Sequence, residues 1–373
     1  MRLNVIFWIS AVAYILLALV AKLAYPKLLP KLEWDSLLYA LAFLGVLAFA
    51  YSASERIQHR YKSAMYLAVL LLMPSCLGWW GLLVALAIIV TTHVIIYFER
   101  HKVEDNSENA RWKLRIILIA AVVILAIVPL VFGVIPLLQP ETRYSSLRLL
   151  YLTAGYFTVA ILAIKPDFKV FLIGEAIAIV STFRTVGIAV ALAYFLKLVQ
   201  TGKLRWDKRN WRSYAILAVV FSSVFAVFII RYYTTLQTYP EWKLGFSETL
   251  LYRPGVTYTV YERLFELGMP WGKQAIIFSV NPKGYVGALF RRDVGYTYTL
   301  FGQPAYDFGI LGLVEAVFLG IALADSERRR TTEVLAVTFM TLAVPIGLDT
   351  FFLSAMAFFA YLAVEVERWR KSA

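Results

Sequence analysis

An all-α, polytopic membrane protein is the fold class this sequence predicts, and three observations predict it. The 373-residue chain is 61% hydrophobic and 16% aromatic but only 16% charged, with a mean hydropathy of +0.70. A soluble domain of that length has no core large enough to hide so much apolar surface. The apolar residues also fall in unbroken runs of helical length, not in the short alternating segments of a β-barrel. Lastly, the basic residues gather in the gaps between runs, as they do where loops stay on the cytoplasmic side of a membrane.

The runs cover 4–25, 35–53, 64–78, 80–98, 114–136, 148–164, 170–182, 184–199, 213–231, 306–324, 331–345 and 348–364. The first is long enough to span and no small-residue cleavage site follows it, so it reads as a retained helix. Three longer stretches, 64–98, 170–199 and 331–364, each read either as one long helix or as a hairpin of two spans. Charge decides between these. SERIQHRYK, ERHKVEDNSENARWK, KPDFK, KLVQTGKLRWDKRNWR, DSERRR and ERWRK share one side of the membrane only if each stretch crosses twice. The expectation is about 12 spans in a single integral domain over 1–373, a multi-pass plasma-membrane protein with both termini cytoplasmic. Pro74 with Gly78, Ser181 to Arg184, and Pro345 with Gly347 supply the breaks. On the opposite side Lys22, Lys27 and Lys31 read as snorkelling to lipid headgroups.

Some chemistry is excluded at once. The single cysteine, Cys76, allows no internal disulfide and no cysteine-based metal site. His59, His93 and His101 lie in cytoplasmic loops or in a span, which leaves no histidine as an outer-face base. No Gly-rich phosphate loop and no HExxH motif occurs. Neither a metal nor another cofactor is expected, and nucleic acid is not an expected partner.

Between the ninth and tenth spans, residues 232–305 leave the membrane, and this external region is the expected lid of an active site. It carries Arg253, Arg263, Lys273, Lys283, Arg291 and Arg292 among aromatic residues and glycines. A long basic segment on the outer side needs an anionic ligand. Arginines bind phosphate oxygens bidentately, and several together neutralise a diphosphate without a metal. Aromatic rings cover sugar faces, while Tyr and Trp also donate hydrogen bonds. Binding of lipid headgroups at the interface is the plainer use of the same residues. Within the segment, Pro254 to Leu267 reads as a short amphipathic helix with Val256, Val260, Leu264 and Leu267 on one face. Pro254 suits its first turn, and Gly268 and Pro270 its stop.

Arg143 and Arg148 are further outer-side cations, and Arg184 stands at the tip of two short half-spans. An arginine at membrane depth is costly and so a functional candidate; its alternative is an ion pair with Glu175 or Asp307 that staples helices. Of the acids, Glu262 and Glu266 sit at the i,i+4 spacing of a solvated face. Asp307 reads either as an N-cap or as a carboxylate at the membrane surface near the arginines. Glu248 and Asp293 are left undecided.

STFRTVGIAVALAYFLKLV with the basic loop after it, LLYRPGVTYTVYERLFE and YTYTLFGQPAYDFGILGLVEAVFLG resemble the oligosaccharide repeat-unit polymerases, the Wzy-like O-antigen polymerases. The resemblance implies a class-C glycosyltransferase-like fold and polymerisation of lipid-diphosphate-linked oligosaccharide on the extracytoplasmic face. It implies a polyprenyl or dolichyl carrier, membrane lipids around the protein and a chain-length regulator among possible partners. Related ligases carry a functional histidine in the external loop, which this chain lacks. On this reading Arg184, Arg253, Arg291, Arg292, Arg263 and Arg143 bind the diphosphate, and Asp307 or Glu248 accepts the acceptor proton. A polyprenyl-phosphate-sugar-dependent transferase is one alternative, with Glu33 and Asp35 as its acids. A lipid-linked glycan flippase or exporter is the other, although no internal repeat of the kind transporters show is present.

Overall fold

The computed structural model describes residues 3–100, 107–139, 141–142, 145–204, 211–238, 241–292 and 294–372. Among them every regular element is a helix. The order is α1 (Asn4–Ala24), α2 (Trp34–Ala53), α3 (His59–Ser75), α4 (Trp79–Arg100), α5 (Ser107–Val131), α6 (Arg148–Ile164), α7 (Phe168–Ser181), α8 (Arg184–Gln200), α9 (Trp211–Thr238), α10 (Phe246–Gly268), α11 (Pro282–Leu289), α12 (Thr299–Phe308), α13 (Leu313–Ser326), α14 (Arg330–Ile346) and α15 (Thr350–Ser372). Five segments among the described residues are long and apolar enough to cross a membrane: Asn4–Ala24, Trp34–Arg56, Ser213–Gln237, Thr299–Ser326 and Thr350–Arg368. The chain is a helical membrane protein.

Each of the three ambiguous stretches is broken into two helices. The breaks fall after Ser75, after Ser181 and after Ile346, where the Pro, Gly and Arg interruptions of the apolar pattern lie. Two of the boundaries that differ from expectation flank the external region. Helix α9 continues to Thr238, seven residues past the expected end at 231. The helix expected from residue 306 begins at Thr299, with one 3-10 turn at Gly309–Gly312 joining α12 to α13. Hydropathy missed α12 because TLFGQPAYDF is polar and contains a proline. Even so, every residue from Thr299 to Asp307 is buried, so protein rather than lipid surrounds this segment.

Two compact units emerge, 1–103 with 250–373, and 104–249. In the first, α13 packs on α2 and α15, α3 on α15, and α1 on α14. Helix α13 ends in a buried polar network. The Asp325 carboxylate accepts hydrogen bonds from Lys62 Nζ at 2.8 Å, Tyr66 Oη at 2.7 Å, Arg328 Nε at 3.0 Å and Ser54 Oγ at 3.3 Å. Lys62 and Asp325 are almost wholly inaccessible, and a buried pair persists only when its remaining lone pairs and protons are satisfied in this way.

In the second unit, α6, α7, α8 and α9 pack together. Asp167 caps α7 by accepting from Lys169 N and Val170 N, and also pairs with Arg115. Thr182 takes a left-handed conformation, φ 54°, to turn the chain between α7 and α8.

Candidate functional site

The externally expected segment is anchored in the first unit through one carboxylate. Asp307, near the end of α12, has no solvent exposure. Its Oδ1 accepts from the backbone N–H groups of Ala275 and Ile276, both at 2.8 Å. Its Oδ2 accepts from Ile277 N at 2.7 Å and Gln303 Nε2 at 3.1 Å. Asp307 is therefore not an N-cap; it is an internal residue of α12 that gathers three consecutive amides of a turn 30 positions upstream. The Asp307 carbonyl adds a bond from Gln274 N at 3.0 Å. Gly272 makes the approach possible: with φ at +84°, a Cβ there would stand 2.1 Å from the Asp307 carbonyl oxygen.

From this anchor a small hydrophobic cluster grows. Ile276, Val286, Tyr298 and Tyr306 meet Val260 and Leu264 of α10, and Phe290 and Tyr296 pack against its edge. Tyr285 and Tyr306 share a hydroxyl contact at 3.1 Å. Helix α10 is longer than expected. Glu248 starts it at the third helical position, its Oε2 accepting from the Gly245 N–H at 2.7 Å as in a capping box. Pro254 consequently falls inside the helix.

The inner side of α10 lies against α1. A Cβ on Gly255 would sit 2.5 Å from the Leu29 side chain and 2.8 Å from Ala21. Two turns later, Glu262 receives Lys22 Nζ at 2.6 Å and the Glu33 N–H at 3.1 Å. Lys22 also bonds the Pro30 carbonyl at 3.0 Å. Two expectations are corrected here: Glu262 is not on a solvated face, and Lys22 does not reach for headgroups. Both are buried, each the partner the other needs. Burial pushes the Glu262 pKa up, while the Lys22 ammonium pulls it down.

Between these anchors lies a cleft of about 230 Å³. The loop joining α1 and α2 supplies Leu28, Leu29 and Pro30; α10 supplies Tyr252, Val256, Thr259, Val260 and Arg263; and the chain after α11 supplies Phe290, Arg292 and Tyr296. The α10 residues recur every three or four positions, so one helical face forms the floor. Pockets for drug-sized ligands measure roughly 300–1,000 Å³, so this one has room only for a compact group. Arg263 pairs with Glu266, and both are well exposed. Such a surface pair is worth under about 1 kcal/mol, little enough for a phosphate to displace.

The cleft thus brings together two of the sequence-predicted arginines, Arg263 and Arg292. Arg253 and Arg291 are the chain neighbours of the lining residues Tyr252 and Arg292 but do not line the cleft themselves. Arg291 adopts a positive φ of 56°. Arg143 and Asp293 lie outside the described residues.

In the second unit, Arg184 opens α8, and its guanidinium stands 5.8 Å from the Phe228 ring centre. The stapling pair with Glu175 is not formed, since both Glu175 oxygens are buried without a hydrogen-bond partner. Arg148 flanks the same turn, donating from Nε to the Ser181 carbonyl at 3.2 Å and lying 3.8 Å over Phe183. Sequence reasoning also passed over Asp349, which caps α15 with a bond from Phe352 N at 2.8 Å. The run GLDT reads as an ordinary turn, so nothing marked it.

Comparison with curated proteins and with solved structures gives no match. The family model described as "Putative O-antigen polymerase" matches residues 2–361 of the 373. That covers nearly the whole chain, including residues 2–180, where none of the quoted motifs lies. The chain belongs to the O-antigen polymerase family.

Proposed function

We propose that this membrane polymerase of polysaccharide synthesis joins lipid-diphosphate-linked oligosaccharide units at the outer face of the membrane, without a metal. The observation that carries the reading is the cleft in which Arg263 and Arg292 meet Tyr252, Phe290 and Tyr296. Two guanidiniums match the charge of a diphosphate, and the rings offer faces to the sugar beside it. Leu28, Leu29, Pro30 and Val256 form an apolar side on which the first carrier carbons rest.

In the proposed reaction the growing chain on its lipid diphosphate is the donor. A hydroxyl of a second lipid-linked unit attacks the anomeric carbon, and the diphosphate departs. Arginine charge placed where the leaving group becomes more negative contributes to the rate, typically about 10²–10³-fold per well-aimed donor. Arg253 and Arg291, beside the cleft, add to this positive field. Arg184 in the second unit is a separate candidate for phosphate contact, judged by its own variant. Of the two carboxylates first considered as base, Glu248 is exposed and caps a helix, and both Asp307 oxygens are engaged by protein donors. Twelve spans, cytoplasmic termini and an outward-facing lid over 232–305 belong to the same proposal, on the strength of the charge pattern.

The test is direct. Purified protein in nanodiscs receives its host's lipid-linked oligosaccharide without divalent metal, and the products are resolved on a gel. A ladder spaced by one repeat unit supports the polymerase. Addition of single sugars would favour the polyprenyl-phosphate-dependent transferase. Movement of the lipid with no new glycosidic bond would favour the flippase.

A further inference from the structure

The turn that Asp307 gathers belongs to a strap, 269–281, between the end of α10 and the start of α11. Ile276 and Ile277 in its middle are buried. Its remaining large apolar side chains are not: Trp271 is 75% exposed and Val280 84%, and Phe278 is exposed between them. Three such side chains in one short strap form an apolar patch that calls for a partner.

Both ends of the strap are tied to the heads of membrane spans. The Ile310 N–H donates to the Pro270 carbonyl at 3.0 Å. At the other end Thr350, the first residue of α15, donates from Oγ1 to the Ile277 carbonyl at 2.5 Å. Length fixes the depth of the first tie. The 3-10 turn Gly309–Gly312 has 4 residues and α13 has 14, which rise about 8 Å and about 21 Å. Together they match a hydrocarbon layer of about 30 Å. With the charged network around Asp325 at the far boundary, Gly309 falls at the near one. Ile310, Leu311 and Val314 are exposed, so the lipid-facing surface of this span begins beside the strap. The exposed Trp34 starts α2, and Tyr39 of the same helix donates to the Gly309 carbonyl at 3.1 Å. Two exposed tryptophans, Trp34 and Trp271, therefore stand at one end of the spans, where an aromatic belt meets the interface. Phe351, also exposed, follows Thr350 at the second tie.

We propose that the strap is seated in the headgroup layer of the bilayer, with Trp271, Phe278 and Val280 immersed above the first acyl carbons. Its partner is the lipid surface, because these side chains continue the lipid-facing surfaces of α13 and α15 instead of forming an island of their own. The exposed Lys273 between them meets lipid phosphates. Arg263 lies five residues before Gly268, the end of α10, which is about 8 Å along the helix. A seated strap thus keeps this cleft arginine close to the depth of lipid phosphates.

The test is spin-label accessibility of the full-length protein in phosphatidylcholine nanodiscs. Cys76→Ser removes the native thiol. Single cysteines are then introduced by Trp271→Cys, Val280→Cys, Lys273→Cys and, within the span, Val314→Cys. Each is labelled with a nitroxide, and its relaxation by oxygen, which partitions into lipid, is compared with relaxation by a water-soluble nickel chelate. The oxygen-to-chelate ratio at 271 and 280 is expected to be several-fold above that at 273 and below that at 314. A ratio at 271 and 280 no higher than at 273 would place the strap in water and overturn the inference. Low access to both reagents would mean that protein covers the strap, and would overturn it too. Val280 is the most exposed of the three apolar strap residues, so Val280→Cys decides should Trp271→Cys fold poorly. No substrate enters this measurement, so its outcome and that of the chain-extension assay are independent.

Discussion

Lys22 and Glu262 stand 240 positions apart in sequence and 2.6 Å apart in space, both almost completely buried. Their contact pins the loop carrying Leu28 to Pro30 onto α10 and so closes one wall of the cleft. Removing one partner strands the other charge. Lys22→Met or Glu262→Leu alone is expected to destabilise the protein by about 3–5 kcal/mol, whereas the double substitution costs much less. A double-mutant cycle of detergent-phase unfolding measures the coupling, and strictly additive losses would contradict it.

Arg263 and Arg292 are expected to bind the same anion. Replacing either with Ala removes charge-assisted hydrogen bonds worth about 1.5–3 kcal/mol, which is a 10- to 100-fold loss of affinity. Titration of a short-chain polyprenyl diphosphate reports this. Replacing Arg263 by Lys should restore little, because an ammonium does not reproduce the bidentate fork.

Asp307→Ala leaves the amides of Ala275, Ile276 and Ile277 without their acceptor. Each buried donor left unpaired costs about 1–3 kcal/mol, so the segment 272–280 should open locally. Hydrogen exchange at 275–277 should rise by orders of magnitude while exchange in α13 stays slow. Unchanged exchange at 275–277 would show that another group holds the turn.

Gly272→Ala should break the same docking from the other side. Its Cβ would meet the Asp307 carbonyl oxygen at 2.1 Å, in a backbone conformation that already disfavours a side chain. Gly45→Ala in α2 is the control, since nothing lies within 4 Å of a Cβ there. Thermal unfolding should fall sharply for the first and be unchanged or slightly raised for the second.

Arg184→Ala tests the second unit by itself. Loss of chain extension with normal expression and unfolding would mark Arg184 as functional; full activity would leave it a structural residue beside Phe228.

How much was legible before folding follows the range of each interaction. The breaks near Gly78, Thr182 and Gly347 were readable because a local interruption of an apolar run is written in adjacent residues. The helical character around Glu262 was readable too, but the face chosen, Val256 to Leu267, was only partly the buried one: Leu267 is exposed, whereas Tyr258, Tyr261 and Glu262 are buried. Hydropathy ranks a carboxylate and a tyrosine as outward, and only Lys22, Glu33 and the Ser36 carbonyl that takes the Tyr261 hydroxyl at 2.5 Å reverse that ranking. Asp307 was singled out as an N-cap or as a carboxylate near the arginines, whereas its oxygens are taken by Gln303 and three amides, and those amides lie in a stretch with no local mark. Asp349 carried no mark at all, because its run reads as an ordinary turn and its bond from Phe352 N forms only once the start of α15 is folded.

The segment Thr299–Ser326 is held by a buried carboxylate near each end. At one, Asp307 binds three amides; at the other, Asp325 binds Lys62, Tyr66, Arg328 and Ser54. A strut fixed at both ends has no register to slide through and no free rotation about its long axis. In a polymerase, each cycle must advance a lengthening glycan by one unit. If the protein extends chains as proposed, the movement that each cycle needs is expected in the glycan and not in this strut.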